Sequence, residues 1–332
     1  MVTFHQVGQG LFASEKYGGQ TIVYDCGGER IKIVNKAIDF GLPETPDIDI
    51  LFISHYDQDH INGILHLIET HNVKHVVLPL VSNFSRFLSS RDYLDSDFER
   101  IRILYSDPEL FFRNNSPGTH CHFIRDVNEN QGGRTRINIE NLPEEFDSNI
   151  QIILLKDWLL IPYNRKVMTR KQEDTFLSRL GLDPDLDFDQ ILEKWPSIDK
   201  CIKRKLLEAG TVNRYNINDY SMTLYSQNHG SRTLYLGDYN AKDHCDKLQT
   251  VYGGFWQKIS CLQVPHHGSE KSFNDELLEC GANDYVISNN REPKSSKKVD
   301  PKPIIDKIKK KDKVPHITDD GVVELLQHRN RT

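Results

Sequence analysis

Long apolar runs are missing from this 332-residue chain. The longest, residues 151–155 and 158–162, fall far short of the roughly 20 residues that a membrane-spanning helix needs. The opening residues, Met1-Val2-Thr3-Phe4-His5-Gln6, have neither a basic nor an apolar leader region, so no secretory signal is expected. Paired cysteines are missing too. Cys26, Cys121, Cys201, Cys245, Cys261 and Cys280 are scattered with no CxxC, which argues against a disulfide framework or a zinc ribbon. A reducing cytoplasm is the expected home. There is no surplus of positive charge: 42 Lys+Arg face 48 Asp+Glu, a net of −6. Overall charge therefore does not hold this protein on nucleic acid, although a local basic patch is still open to it. No internal repeat stands out. What is present, 37% hydrophobic and 27% charged residues, is enough for a real core and too polar for a membrane protein. At about 150 residues per domain, the length suits two domains or one large α/β unit with insertions.

The chain reads as strands that end in polar loops. Residues 2–7 and 21–24 are expected strands around a glycine turn, Gly8-Gln9-Gly10, and the second ends in Asp25-Cys26-Gly27-Gly28. A helix over about 31–40 should stop at Gly41 and Pro43. Residues 48–54 (IDILFIS) form an apolar run of strand length, as a strand buried on both faces would. That run leads into His55-Tyr56-Asp57-Gln58-Asp59-His60, then Gly63, a helix over 64–70 and a strand over 73–79. Strand, polar loop, helix and strand make a βαβ rhythm, and function on such units sits at the carboxyl ends of strands. From about 82 to 215 the pattern is least regular. It holds a charged helical candidate at 89–103, a strand at 150–155, and a helical stretch from 169 to 209 broken by Pro184 and Pro196. Alternation returns as a hairpin, 221–226 and 233–237, followed by strands at 259–265 and 285–288 and a helix at 304–310.

Three strand-end clusters carry chemistry. His55-x-Asp57-x-Asp59-His60 puts four potential ligands on one loop, where they can wrap a pair of adjacent cations. A solvated polar turn is the bland alternative, but it would need neither the apolar strand before it nor the glycine and helix after it. Gly237-Asp238 places a carboxylate just past an apolar strand, suited to bridging two metals. Val264-Pro265-His266-His267-Gly268-Ser269 puts two imidazoles at another strand end. One charge asymmetry stands out. Residues 291–313 hold ten Lys/Arg against four acids, +6, so the rest of the chain carries about −12. A solvated lysine-rich face is the plain reading; a phosphate-backbone contact through Lys294, Lys297, Lys298 and Lys302 is the functional one.

With HxDxDH, GD and PHHGS behind an opening VGQG and a following DCGG, the chain resembles the metallo-β-lactamase fold. Within it, the motifs look most like the soluble hydrolase domain at the C-terminus of the DNA-uptake channel ComEC. Residues 4–10 and 24–28 match the opening of that domain, except that His5-Gln6 departs from it. Residues 54–63 match its SHxDxDHxxG loop, Asn218 and Ser221 its N-x-x-S, and Thr318-Asp319-Asp320-Gly321 its final strand. The likeness covers roughly 1–80 and 215–325. It implies an α/β, αββα sandwich formed by residues 1–82 and 215–332, with a large, partly helical insertion at 83–214 that serves in part as a lid or recognition region. Asp300-Pro301 stands where the family shows His-Pro. The histidine that the fold supplies between HxDxDH and GD is not identifiable, and Asn218, Asp219 or a water is left to fill its place.

The resemblance implies a dinuclear hydrolase in which a hydroxide bridging two cations attacks the substrate. His55 and Asp57 would hold one metal and Asp59 and His60 the other. Asp238 would bridge them, and His266 or His267 would complete the second site. Asp59 and Asp238 are the candidate catalytic residues. Asp25, Asn218 and Ser221 are candidates to support the ligands from behind. Asp57 replaces a histidine of the zinc β-lactamases, and that harder donor moves the expectation from Zn²⁺ toward Mn²⁺, with Mg²⁺ a third candidate. The expected activity is a phosphodiesterase, foremost a DNA nuclease with nucleic acid as its partner and no membrane. A small-molecule hydrolase (thioesterase, lactonase or cyclic-nucleotide phosphodiesterase) uses the same metal site, since fold does not settle substrate. The third reading is an effector subunit that works only with a protein partner.

Overall fold

The computed structural model describes residues 1–42, 47–90, 98–126, 135–148, 150–155, 157–165, 170–179, 181–194, 221–290 and 299–325. Asn218, Lys294, Lys297 and Lys298 lie outside them. Among the described residues no helix is long and apolar enough to cross a membrane.

Two eight-stranded sheets form the frame. The first runs β16 (Val323–Leu325), β1 (Val2–Phe4), β2 (Phe12–Tyr17), β3 (Gln20–Cys26), β4 (Asp47–Phe52), β5 (Asn72–Pro79), β6 (His120–Arg125) and β8 (Glu145–Asp147). The second runs β15 (Val314–Ile317), β14 (Asp284–Ile287), β13 (Cys261–Gln263), β12 (Arg232–Tyr235), β11 (Thr223–Gln227), β10 (Trp158–Tyr163), β9 (Ile150–Leu155) and β7 (Thr135–Asn138). From β3 to β8 and from β12 to β15 neighbouring strands are parallel, so each sheet has a block of carboxyl ends on one edge.

Three apolar layers follow from the period-2 alternation of strand side chains. Tyr24, Ile50, Phe52, Val77, Trp158, Leu160, Leu224 and Tyr235 fill the space between the sheets. The opposite faces of β4 and β5, with Leu51, Val76 and Leu78, pack against helices Ile31–Gly41 and Ile64–Thr70 through Val34, Ile38, Ile64 and Leu67. Across the molecule, Leu234, Leu262, Tyr285 and Ile287 meet helices Ala241–Trp256 and Lys302–Lys310. The order is helix, sheet, sheet, helix. Each large apolar side chain fully buried in this way contributes about 1.5–3 kcal/mol.

Residues from 83 onward serve both sheets. Helices Asn83–Ser90, Phe98–Ser106 and Pro108–Asn115 place Phe84, Phe87, Leu104, Tyr105 and Phe111 on the outer apolar layer of the first sheet. Strands β6 to β10 then widen both sheets. Of the helix expected over 89–103, the described parts lie in helices Asn83–Ser90 and Phe98–Ser106. Of the helical stretch expected over 169–209, the described parts are Arg170–Arg179 and Phe188–Lys194. Thr318-Asp319-Asp320, expected in a strand, forms a short 3-10 turn after β15, and the chain returns to pair with β1 as β16. Strand β2 (FASEKY) and helix Ala241–Trp256 were not foreseen. The first has a charged outer half, and the second carries Gly253-Gly254, which lower helix propensity by about 1 kcal/mol each.

Candidate metal centre

The three ligand-rich loops meet at the carboxyl edge where the sheets face one another. Two hydrogen bonds join the sheets there: the Met222 N–H donates to the Ser54 carbonyl at 2.7 Å, and the Tyr24 hydroxyl to the Met222 carbonyl at 2.5 Å. The glycines of the opening motifs permit close backbone approach. A Cβ at Gly10 would lie 2.7 Å from the Asp59 carbonyl oxygen, and one at Gly27 2.4 Å from the same atom. Leu11 N–H then donates to that carbonyl at 3.1 Å, and Asn62 ties the loop to Gly28 through two hydrogen bonds.

His55, His60 and Asp238 bring ligand atoms within 4.8 Å of one another, as do Asp59, His60 and His267. The His60 Nε2 lies 3.1 Å from one oxygen of Asp238, and the His267 Nε2 lies 3.1 Å from Asp59 and 3.5 Å from that same Asp238 oxygen. His266 approaches the other Asp238 oxygen at 3.7 Å, and His55 is 3.7 Å from Asp57. Each of the two adjacent histidines thus faces its own oxygen of Asp238. His55, His60, Asp238 and His267 are buried, whereas Asp57 and Asp59 are 30% and 31% exposed and line the mouth.

Hydrogen bonds behind the ligands decide which nitrogens face the centre. Asp25, in the left-handed region at φ 56°, accepts from the Ser54 N–H and hydroxyl at 2.6 Å each and from the His60 Nδ1–H at 2.7 Å. Because the Ser54 hydroxyl donates to Asp25, it accepts from His55 Nδ1 at 2.9 Å. His267 Nδ1–H donates to the Ser288 carbonyl at 3.0 Å. In all three rings Nδ1 is engaged, and Nε2 is left to face the carboxylates. His266 and His267 hold left-handed φ values of 49° and 55°, a strained turn that aims both rings inward. The Gly237-Asp238 turn is clamped from two sides. Leu236 and Gly237 N–H groups donate to Gln263 Oε1 at 2.7 Å each, and Asp238 N–H donates to Ser221 Oγ at 3.0 Å.

The donor set fits divalent cations. His55 Nε2, His60 Nε2, Asp238 Oδ1 and His267 Nε2 are buried atoms with no hydrogen-bond partner, and all four belong to the two ligand groups above, whereas Asp57, whose Oδ1 is also buried and unpartnered, belongs to neither. Buried polar atoms in proteins are nearly always satisfied, so four orphans in one cluster fit a site that would hold a cation. Electrostatics agree. Burial, with the neighbouring charge of Asp59, pushes Asp57 up to about 7. Burial opposes ionisation of Asp59 as well, but the His267 ring 3.1 Å away and the charge of His60 hold it down at about 2. Burial lowers His55 to about 4, whereas in His60 the same effect is overcome by Asp238 and Asp25 on either side, which raise its pKa well above the usual value.

Of the other expected residues, Asp25 and Ser221 stand behind the ligands as described, and Lys302 opens helix Lys302–Lys310. That helix follows Pro301, whose Cβ would lie 3.0 Å from a Cβ at Gly268. Asn62 and Gln263 were not singled out in the sequence, and Ser54 was matched only as the first residue of the SHxDxDHxxG loop, with no role. Ser54 directly precedes the HxDxDH motif, a signal that was available; Gln263 reads as an ordinary strand residue. Ser89, on helix Asn83–Ser90, hydrogen-bonds Asp57, and the Tyr105 hydroxyl donates to the Tyr56 carbonyl at 3.0 Å. Helices from beyond residue 83 therefore buttress the ligand loop.

Comparison with known proteins agrees with this architecture. The Metallo-beta-lactamase superfamily model matches residues 11–124, and members of that superfamily are metal-dependent hydrolases. No curated protein matches the chain. Similar solved structures include human tRNase Z, short form, at 10% identity and TM-score 0.40, covering 98% of this chain and 99% of that one. Zn²⁺-bound PqqB from Methylobacterium extorquens aligns at 9% identity and TM-score 0.44 over 95% of this chain and 87% of that one. An isothiocyanate hydrolase from Delia radicum gut bacteria aligns at 9% and 0.44 over 98% and 99%. By its layer order, its two mixed sheets and the family match over residues 11–124, the chain has the αββα metallo-β-lactamase fold.

Proposed function

We propose that the protein is a dinuclear-metal-dependent phosphodiesterase that cleaves DNA. The observation that carries this reading is that two described residues flanking the basic segment, Asn289 and Val299, are anchored at the mouth of the centre. Asn289, which enters that segment, donates through Nδ2 to the His267 carbonyl at 2.8 Å and to the Val299 carbonyl at 3.1 Å. Val299, which leaves it, donates to Gln9 Oε1 at 3.2 Å, in the glycine loop beside Asp59. Arg291, Lys294, Lys297 and Lys298 lie between these anchors in the sequence, and Lys302 follows. A basic stretch whose flanking residues are fixed at the mouth suits a substrate that carries phosphates. The motif likeness to the ComEC hydrolase domain supports the same substrate class.

In this reading His55, Asp57 and His266 would hold one cation and Asp59, His60 and His267 the other, with Asp238 available to both. His266 takes the place of the absent histidine. Bound cations would supply Lewis acidity and a water of near-neutral pKa. The protein's own part is positional. Asp25 and Ser54 lock the tautomers of His60 and His55, Gln263 and Ser221 hold Asp238 in its turn, and Asp59 at the mouth orients the attacking water. Mn²⁺ suits the oxygen-rich donor set, with Zn²⁺ and Mg²⁺ as competitors.

A cavity of about 480 Å³ favours the second reading, a small-molecule hydrolase. Val81, Phe84 and Leu177 line it together with Asp126 and Glu173, and helix Asn83–Ser90 connects it to Asp57 through Ser89. The deciding experiment adds Mn²⁺, Mg²⁺ or Zn²⁺ to chelator-stripped protein with end-labelled linear, circular and single-stranded DNA, beside Asp59→Ala. Metal-dependent cutting that disappears in the variant supports the nuclease. A protein that binds two metals, cuts no DNA and hydrolyses small esters or phosphodiesters overturns it in favour of the second reading.

A further inference from the structure

A second group of imidazoles lies away from the strand-end loops. His75 on β5 is paired in register with His120 on β6, and His122 follows two residues later on the same face. That face also carries Val77 and Ile124 of the core between the sheets. His75 precedes Pro79, the carboxyl end of β5, by four residues, about 13 Å at 3.3 Å per residue. The three rings stack in series: His75 is 5.3 Å from His120 and 5.3 Å from His122, centroid to centroid, with interplanar angles of 27° and 26°. His75 and His122 are 6% and 5% exposed, and His120 sits at the surface.

From this geometry we propose that His75, His120 and His122 form a further transition-metal site, taking a cation such as Zn²⁺ or Cu²⁺, distinct from the strand-end centre. His122 Nδ1–H donates to the Pro143 carbonyl at 2.9 Å, the arrangement that leaves Nε2 with its lone pair, as in metal-bound histidines. That Nε2 lies 3.0 Å from His75 Nδ1. Two imidazole nitrogens on one tetrahedral cation, each at about 2.0–2.1 Å, stand about 3.3 Å apart, so a small ring movement admits the metal. His120 completes the set by rotating its exposed side chain. A cavity of about 360 Å³ opens onto His120 and His122, and Glu144 and Glu109 line it. Arg113, also on its wall, is paired with Glu109. Burial, together with the adjacent His122 and His120, lowers His75 to about 4, so its ring is neutral at pH 7. An all-imidazole set selects borderline transition metals over Mg²⁺ or Ca²⁺.

The test titrates the chelator-stripped full chain with Cu²⁺ and follows nitrogen hyperfine coupling by electron paramagnetic resonance. Wild type, His122→Gln and His120→Gln are compared. The expected result is one fewer tight equivalent of Cu²⁺ in each variant, its affinity reduced at least tenfold, with metal-dependent hydrolysis unchanged in His120→Gln. Equal stoichiometry and affinity in wild type and His120→Gln overturn the proposal, and they do so even if His122→Gln fails to fold. A direct hydrogen bond between His75 and His122 is then the whole content of the cluster. The outcome does not depend on which substrate the strand-end centre cleaves.

Discussion

Replacing Asp25 by Asn changes one atom and should disable His60 as a ligand. In the native protein Asp25 Oδ1 accepts from the Ser54 N–H, while Oδ2 accepts from the Ser54 hydroxyl and from His60 Nδ1–H, at 2.6 and 2.7 Å. In Asp25→Asn the amide oxygen must stay opposite the Ser54 N–H, which can only donate, so the amide NH₂ takes the place of Oδ2. His60 Nδ1 then faces a donor and has to accept, which moves the ring proton to Nε2, the atom aimed at Asp238 and Asp59. The backbone is no obstacle, because Asn tolerates the left-handed φ of 56° at least as well as Asp. Loss of a partner behind a metal ligand typically costs 10–100-fold in metal affinity. That corresponds to about 1.4–2.8 kcal/mol at about 1.4 kcal/mol per factor of ten. The assay is a competitive metal titration against a chromophoric chelator, with circular dichroism to verify folding and ¹⁵N resonances of the histidines to read the tautomer. A variant that binds metal as wild type does, with His60 Nε2 still unprotonated, would refute the reasoning.

Other perturbations have equally definite outcomes. Glu15 is buried between the sheets, accepting from Tyr235, Ser226 and Asn228, and burial raises its pKa from 4.5 to about 7. A carboxyl raised on folding stabilises the native state fully below the unfolded value and loses that contribution as pH climbs through the folded one. Wild type should therefore lose about 3 kcal/mol relative to Glu15→Gln between pH 4.5 and 8, at about 1.4 kcal/mol per pH unit; parallel urea titrations across that range check it, and a constant difference sinks it. Gly237→Ala should cost about 1–2 kcal/mol for a non-glycine residue in the left-handed region. Its Cβ would also sit 2.4 Å from Ser221 Oγ and 2.8 Å from Ser54 Oγ, so hydrolysis should fall by more than the melting temperature suggests. Adding Zn²⁺ or Mn²⁺ to stripped protein at 100 times its dissociation constant should stabilise the fold by about 2.7 kcal/mol. The rise in melting temperature should be much smaller in His267→Ala, and an equal rise in both would remove that residue from the centre.

The candidate ligands were legible in the sequence because a strand-end loop is local. In residues 48–60 a buried apolar strand runs directly into His55, Asp57, Asp59 and His60, and 234–238 and 264–268 repeat that pattern on a smaller scale. Pattern alone could not read charged or glycine-bearing elements such as Phe12–Tyr17 and Ala241–Trp256, whose structure depends on packing partners far away in the chain. Sequence also left open which of His266 and His267 faces the metals. The tertiary structure brings both to Asp238, one to each oxygen, because the left-handed turn after β13 aims the two rings at opposite sides of one carboxylate. The supporting shell was likewise a matter of three dimensions. Asp25 and Ser54 are 29 residues apart and meet only because β3 and β4 are parallel neighbours, and Gln263 reaches Gly237 only through the pairing of β12 with β13. By itself the sequence determined which side chains sit at strand ends, since apolar period and punctuation are properties of short segments. Only the packing of two sheets face to face, with their carboxyl ends on one side, decided which of those side chains share one buried space and which nitrogen of each ring faces it.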